Sequence, residues 1–371
     1  MPFSAVPVCN RLFKDRLLLL MLAAALVLAC VKPVSLTLGL GWINWPTLEV
    51  LAGLGVLTQA LEHSGILERL AWNLLQRSHS ERSLAMLLVL AGVLLSTVLT
   101  NDLTLFLLIP ITLHIARLSD HDLSLLLIFE ALAVNTGSLW TPVGNPQNIL
   151  LWQTSGLGFW EFVMMMTPLA VGLVLLLLAT TWWTFPSRQG VLQPAPCTQV
   201  DTNLWKSALI LYIAFIVLTE MQLRIWGLLM LIPWMLGRPV LLKSLNLPLL
   251  GTFLVMFFLM GELRQFLWIE HDLYGLRQHP QYTYVSAIMA SQVLSNVPSS
   301  VLLVPLKLPL RDLAYAVNIG GYGLASGSLA NLIVLRWQGV PAGLWLRFHH
   351  WSLPALLVAT IFGMILLNNH S

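Results

Sequence analysis

The sequence predicts an all-α, polytopic membrane protein with two inverted-topology repeats, each containing a re-entrant hairpin and a discontinuous helix. Three observations predict this class. Of 371 residues, 57% are hydrophobic and only 9% are charged, whereas an ordinary soluble domain has about 25% charged residues. Long apolar stretches recur along the whole chain. Four of these stretches are interrupted by polar, Gly or Pro residues, and the interruptions form two matching pairs.

The apolar stretches predict the membrane elements, because about 20 apolar residues cross a bilayer as a helix. These elements lie near residues 17–32, 45–62, 82–116, 123–153, 160–185, 205–221, 224–242, 249–269, 283–308, 312–337 and 347–369. The longest polar linkers, 186–203 and 270–282, are too short to form a soluble domain.

The first element has a second interpretation. Arg11, Lys14 and Arg16 precede an apolar run over residues 17–31, which is also the pattern of a signal peptide. We favour a first transmembrane helix, because the rest of the chain already requires a membrane.

The interruptions predict broken helices, since backbone groups freed at membrane depth must be satisfied by protein, water or a bound ion. Each break has a counterpart in the other half of the chain. The segment STVLTN at 96–101 matches SQVLSN at 291–296 with a shift of 195 residues. Residues of the second pair match at a shift of 183: Asn135, Gly144 and Asn148 with Asn318, Gly327 and Asn331.

The constant shifts between matching residues predict an internal repeat, and the repeat predicts the organisation of the chain. Residues 1–44 hold an N-terminal transmembrane helix and 45–185 form the first repeat. Residues 186–248 form a linker with two connecting transmembrane helices, and 249–371 form the second repeat.

The distribution of positive charge predicts the topology. If 82–116 and 283–308 are re-entrant hairpins, nine crossings remain, with 13 Lys and Arg residues on the N-terminal side and 6 on the other. Lys and Arg concentrate in cytoplasmic loops. The count therefore predicts a cytoplasmic N-terminus, a periplasmic C-terminus and antiparallel repeats.

Asp102, at the predicted tip of the first hairpin, is the strongest single candidate for a functional residue. A carboxylate at mid-bilayer costs about 2.5–3.5 kcal/mol unless it faces water, a cation or a partner. Asp102 can carry a proton or bind a cation; the alternative is that it only caps a helix N-terminus. Glu130, in the first half of the first broken helix, is a weaker candidate.

Interrupted segments at corresponding positions of two halves indicate a transporter's binding site. Amide oxygens suit hard cations, and amide N–H groups suit oxyanions. For the paired Asn135 and Asn318, hydrogen bonding to neighbouring helices is an equal alternative, and for the other asparagines the alternative is helix capping. We predict a substrate- or ion-binding site formed by Thr100, Asn101, Asp102, Asn135, Gly144, Asn145, Asn148, Ser295, Asn296, Asn318, Gly327, Ser328 and Asn331, with a sodium ion near Asn101, Asn145 and Asn296.

These motifs resemble the ion transporter superfamily, which includes divalent anion:sodium symporters, citrate carriers, one type of sodium/proton antiporter and the membrane subunit of the arsenite efflux pump. The resemblance covers the chain from about residue 45 to its end. Asn101 and Asn296 match the family's hairpin-tip asparagines, and the segments 144–148 and 327–331 match its broken-helix loops. The carboxylate-binding branch has Ser-Asn-Thr at both tips. The Asn101-Asp102 tip is therefore more similar to the arsenite pump branch.

The resemblance implies a secondary active carrier of a small anion or an arsenite-like oxyacid, coupled to protons or sodium, in the bacterial inner membrane. A sodium/proton-type cation antiporter, which Asp102 would suit, is the alternative. A channel, a structural membrane protein and an embedded enzyme are weaker alternatives. The sequence contains no G-x-x-x-x-G-K-[ST], H-E-x-x-H or G-x-S-x-G motif, which argues against an ATPase, a zinc protease and a serine hydrolase.

The expected partners are the lipid bilayer and a small ionic or oxyacid substrate, with no nucleic acid. The sequence leaves open whether two copies of the chain form a homodimer. No cofactor is expected beyond a bound sodium ion or a coupled proton. Cys9, Cys30 and Cys197 are too widely spaced for a disulfide framework or a metal site.

The topology can be checked with reporters fused to the C-terminus. We expect alkaline phosphatase fused to the C-terminus to be active. This enzyme is active only in the periplasm, and nine crossings place the C-terminus on that side. A green fluorescent reporter that is bright only in the cytoplasm should stay dark. The opposite pattern would rule out the nine-crossing topology.

Overall fold

The computed structural model describes residues 16–33, 35–75, 80–118, 124–187, 199–238, 241, 247–266, 275–276, 279, 282–337 and 343–368. Cys9, Cys197, Arg11 and Lys14 lie outside these residues.

The regular elements of the described residues are α-helices and two short 3-10 turns, 304–306 and 325–327. The helices are α1 (Arg16–Val31), α2 (Leu36–Gly41), α3 (Trp45–His63), α4 (Ile66–Leu75), α5 (Glu81–Ser96), α6 (Asn101–Leu118), α7 (Ser124–Ser138), α8 (Pro146–Ser155), α9 (Phe159–Thr184), α10 (Thr202–Glu220), α11 (Arg224–Leu236), α12 (Leu247–Leu263), α13 (Thr283–Leu294), α14 (Asn296–Leu303), α15 (Leu310–Ile319), α16 (Leu329–Arg336) and α17 (Leu344–Asn368).

Each predicted apolar stretch overlaps one described helix or a pair of them, which confirms an all-helical, polytopic membrane protein. Among the described residues, α9, α10 and α17 are long and apolar enough to cross a membrane by length and composition. Shorter apolar helices include four members of the interrupted pairs, α6, α7, α13 and α14. The sequence analysis missed α2 and α4.

The predicted interruptions are breaks between consecutive helices. We call residues 97–102, where α5 ends and α6 begins, the first tip, and residues 295–296, where α13 ends and α14 begins, the second tip. Residues 139–145, between α7 and α8, are the first loop, and residues 320–328, between α15 and α16, are the second loop. Both halves therefore have a tip followed by a loop in the same order along the chain.

The chain divides into two compact units. The first comprises Met1–Ser64, Asp201–Gln278 and Val301–Leu306. Within it, α1 packs along α12, and α3 packs against α10 and α11. The ring of Phe215 lies so close to Gly53 and Gly227 that a Cβ on either glycine would overlap it. A salt bridge of 3.2 Å joins Arg224 Nε to Glu49 Oε2.

The second unit comprises Gly65–Val200, His279–Ser300 and Lys307–Ser371, and it contains every predicted site residue. In this unit α7 packs against α5, and α15 packs against α13. Gly137 lies against Ser96 in the first of these contacts, and Gly320 lies against Ser291 in the second. The two glycines are related by the shift of 183 residues and the two serines by the shift of 195. Both halves therefore make the same close helix contact.

The equivalent contact supports the internal repeat. The predicted domain boundaries and the inverted orientation of the repeats stay predictions.

The glycine contacts can be tested by adding a single methyl group. We expect Gly137→Ala and Gly320→Ala each to destabilise the protein by about 1–3 kcal/mol, because overpacking forces the neighbouring helix to shift. Gly55→Ala in α3 is the matched control, since a Cβ there meets no atom within 4 Å. Thermal unfolding of the purified protein in detergent measures the effect. Equal midpoints for Gly137→Ala and Gly55→Ala would contradict the close contact.

Candidate functional site

Two reciprocal asparagine pairs connect the broken helices. Asn135 Nδ2 donates to Asn331 Oδ1 at 2.9 Å, and Asn318 Nδ2 donates to Asn148 Oδ1 at 2.7 Å. Each bond joins the first part of one broken helix to the second part of the other. The shift of 183 residues converts one pair into the other. All four side chains are buried, so these bonds connect the two halves of the sequence in the interior of the second unit.

Asn148 also closes the first loop. Its Nδ2 donates to the backbone carbonyls of Ser138, Leu139 and Thr141 at 3.3, 3.1 and 3.0 Å. These carbonyls are freed where α7 ends, and bilayer hydrocarbon offers no water to satisfy them. The amide of Asn148 therefore supplies donors that the broken helix lacks.

Asn331 does the same for the second loop. Its Nδ2 donates to the carbonyls of Gly321 and Leu324 at 2.9 and 3.2 Å. Gly321 and Leu324 are the equivalents of Ser138 and Thr141 at the shift of 183 residues. The repeat thus extends to individual hydrogen bonds.

Asn145 and Ser328 occupy the position before the second part of each broken helix, and both act as N-caps. Asn145 Oδ1 accepts from the N–H of Asn148 at 2.8 Å, and Ser328 Oγ accepts from the N–H of Ala330 at 3.3 Å. Asn145 Nδ2 also donates to Asn318 Oδ1 at 2.9 Å. Both residues thus satisfy helix ends, as the capping alternative describes.

Gly144 and Gly327 allow the loops to fold tightly. A Cβ on Gly144 would lie 2.8 Å from the carbonyl oxygen of Ser96, and a Cβ on Gly327 would lie 2.6 Å from that of Gly320. Any side chain at either position would overlap backbone. Gly144 and Gly327, which we predicted as site residues, therefore allow each loop to pack closely against its neighbours.

The asparagines at the tips differ from those in the loops. Asn101 is 6% exposed and Asn296 is 3% exposed, and each is the first residue of its helix. Within the described residues, neither side-chain amide donates a hydrogen bond. Asn296 Oδ1 receives a long bond of 3.4 Å from Ser295 Oγ. Both residues are mostly buried, but neither amide nitrogen is fully enclosed without a partner, so their N–H groups are still available.

Gly321 places Asn296 next to the asparagine network. A Cβ on Gly321 would lie 3.3 Å from both Asn296 Nδ2 and Asn135 Oδ1. At the other tip, Thr141 Oγ1 donates to the carbonyl of Thr97. The first loop is thus bound to the first tip, in which Thr100 directly precedes α6 and Asn101 begins it.

Ser295 has an unusual backbone. Its φ is +78°. Residues other than glycine rarely adopt this backbone conformation, which costs about 1–3 kcal/mol. Such strain concentrates at binding and switch sites. Here it allows α13 to end and α14 to begin with a single residue between them.

Asp102 is half-buried in the first turn of α6. Its carboxylate accepts no hydrogen bond from the described residues and has no described Lys, Arg or His within salt-bridge distance. The bond to a backbone N–H that defines a helix cap is therefore missing there. Among the described residues, no group of three or more His, Cys, Asp and Glu could hold a metal ion.

Two glutamines were missed by the sequence analysis. Gln292 Nε2 donates to the carbonyls of Gly320 and Tyr322 at 2.8 and 3.1 Å, and its Oε1 accepts from the N–H of Leu324 at 2.8 Å. Gln147 is buried, and its Oε1 has no partner. Both lie within the motifs that carry the repeat, so their position in those motifs was the available signal.

Comparisons with known proteins identify similar chains. A family profile described as "Citrate transporter" matches residues 12–310. The chain is 40% identical to the inner membrane protein YbiR of Escherichia coli over 98% of both chains. It is 28% identical to an uncharacterized transporter of Methanocaldococcus jannaschii, over 79% of this chain and 81% of the relative. It is also 30% identical to a Dictyostelium discoideum protein named transporter arsB, over 32% of this chain and 21% of the relative.

The two kinds of asparagine predict different effects on stability. We expect Asn148→Ala and Asn331→Ala to destabilise the protein by about 2–4 kcal/mol, because several buried carbonyls lose their donors. Asn101→Ala and Asn296→Ala should change stability by less than about 1 kcal/mol, since no donated bond is lost. Thermal unfolding in detergent measures both. Equal losses at tips and loops would contradict this division.

Proposed function

Because the chain belongs to the citrate transporter family, we propose that it is a secondary active carrier of a small anion or an arsenite-like oxyacid, coupled to protons or sodium. The family and the names of the relatives identify a membrane transporter and not an enzyme. We place it in the bacterial inner membrane, the location that the name of the Escherichia coli relative gives for that protein.

The observation that carries this proposal is a pair of side-chain amides at the two tips, on residues that are mostly buried, whose N–H groups donate no hydrogen bond within the described residues. Asn101 and Asn296 are equivalent in the repeat, and each offers two N–H donors and an oxygen acceptor. Their N–H groups donate no hydrogen bond within the described residues and are not fully enclosed, so they are well suited to receive a ligand. Amide N–H groups suit the oxygens of an anion or oxyacid, and the amide oxygens suit a cation that travels with it.

Four buried side-chain oxygens of this unit have no partner in the described residues: Glu130 Oε2, Gln147 Oε1, Thr283 Oγ1 and Ser299 Oγ. Gln147 Oε1, next to Asn318, and Ser299 Oγ, one turn after Asn296, are buried and have no partner in the described residues. We assign both to the lining of the proposed site. Asp102, half-buried at the first tip, is the proposed cation ligand, and together with Asn101, Asn145 and Asn296 it defines the sodium position to test.

The absence of positive charge limits the substrate. The buried polar residues of the described chain include no Lys and no Arg. A polyanion such as citrate would need bound cations to compensate its charge, whereas a neutral oxyacid or a monoanion needs mainly hydrogen bonds. The site therefore favours a small substrate of low charge.

A cation/proton antiporter is the second candidate. It is favoured by Asp102, whose carboxylate has no described cationic partner, because such a group can bind a cation directly. Proteoliposome flux distinguishes the two candidates. A carrier accumulates arsenite or citrate when an ion gradient is applied, whereas an antiporter exchanges sodium for protons without either compound.

The tips are tested by transport with labelled arsenite and citrate as probes. We expect Asn101→Ala and Asn296→Ala each to lower uptake at least about tenfold, since losing a hydrogen bond to a charged or desolvated ligand removes about 1.5–3 kcal/mol. Asn203→Ala, at an exposed position at the start of α10, is the control and should transport like the parent. Parental uptake by both tip variants would refute a site at the tips.

A further inference from the structure

Glu130 is a buried acid that the proposed site does not use. It lies in α7, five residues before Asn135, and its side chain is 0% exposed. It is therefore enclosed by protein in the same helix that carries one half of the asparagine network.

The carboxyl group of Glu130 has one partner. Its Oε1 accepts a hydrogen bond from the hydroxyl of Thr112 in α6. Its Oε2 is buried and has no partner. Neither oxygen forms an ion pair with a Lys, Arg or His of the described residues.

The helices that pack against α7 are α5, α6, α9, α16 and α17. The side chains of His114 and Arg117 in α6 lie outside the description. Among the described cations of these helices, Arg82 donates to the carbonyl of Phe185 and Arg347 donates to Ser124 Oγ, both at 2.9 Å. The charged and titratable groups of these helices are Glu81, Arg82, Asp102, His114, Arg117, Glu161, Arg336, Arg347, His349 and His350.

A carboxylate in this position would be a buried charge with a single hydrogen bond and no counter-ion, which is strongly unfavourable. The neutral acid avoids that penalty and needs only ordinary hydrogen bonding. The enclosure and the partner set of Glu130 therefore fit a protonated carboxylic acid in the described conformation.

The helix that carries Thr112 has a point at which it can bend. Pro110 lies within α6, two residues before Thr112. A proline lacks the N–H of the helical hydrogen bond and is a common site of kinks. Its repeat equivalent, Pro305, lies in the 3-10 turn 304–306 that follows α14. A bend at Pro110 that carries Thr112 away from Glu130 would open the carboxyl group of Glu130 to water.

We propose that Glu130 is a proton-binding site of this carrier, which holds its proton while Thr112 is in contact and releases it when that contact opens. On release, the O–H bond of the carboxylic acid breaks, the proton passes to a water molecule, and the entering water solvates the carboxylate. The coupling role rests on the proposed function, whereas the proton site itself does not. Asp102 remains the cation ligand at the tip.

The proton can be observed directly by infrared spectroscopy of the full chain in liposomes at neutral pH. The parent should show C=O stretching bands of buried carboxylic acids, and Glu130→Gln should lack the band that Glu130 contributes, whereas Glu262, which is also buried without a partner, keeps its own. Asp102→Asn and the exposed Glu161→Gln should keep the Glu130 band. If Glu130→Gln does not fold, Thr112→Val replaces it and should move the band to higher frequency, because the hydrogen bond is lost. A band unchanged in these variants would overturn the proposal.

Coupling is tested in proteoliposomes that contain a pH-sensitive dye, with arsenite and citrate as probes. The parent should change the internal pH in step with uptake, and Glu130→Gln should lower that pH change at least tenfold while still exchanging labelled substrate. Parental uptake without a pH change, or parental coupling in Glu130→Gln, would overturn the role in coupling. If the parent transports neither probe but the infrared band depends on Glu130, the proposed substrates fail and the proton site stands.

Discussion

The second unit depends on one constraint: backbone groups that leave a helix inside a membrane must find their hydrogen bonds within the protein. The first and second loops each free several carbonyls at the end of a helix. Asn148 and Asn331 satisfy them from the helix that follows, and Gln292 does so from α13. Irregular backbone at these positions is therefore stable only because particular amide side chains are present there.

This constraint divides the asparagines into two kinds. An amide that holds a loop carbonyl cannot offer the same N–H group to a substrate, so Asn148 and Asn331 act on transport through the shape of the loops. Asn101 and Asn296 are also mostly buried, but their N–H groups are not used within the described chain. A ligand that binds at the tips would meet side chains whose surroundings are already fixed, which lowers the entropy lost on binding.

The sequence predicted the breaks well, because Asn, Gly and Pro inside apolar runs are physically conspicuous. Constant register also showed that Asn135 and Asn318 are equivalent. It did not show that each bonds to the later half of the opposite broken helix, since spacing along a chain does not specify which loops meet. The helix α4 was missed because Glu68 and Arg69 interrupt its apolar pattern. The contact of Glu130 with Thr112 depends on how α6 and α7 are rotated, which hydrophobicity alone leaves undetermined.

The reciprocal pairs have a consequence for the order in which the protein is made. The ribosome delivers Asn135 to the membrane long before Asn331 exists, because synthesis proceeds from the N-terminus. Until the last quarter of the chain has been inserted, the first loop lacks Asn318, one of its partners, and Asn135 has no Asn331 to bind. The early helices are therefore inserted into the bilayer before their hydrogen bonds to Asn318 and Asn331 can form. Completion of the second broken helix supplies the missing partners of Asn135, Asn145 and Asn148, so the bonds between the two halves form last.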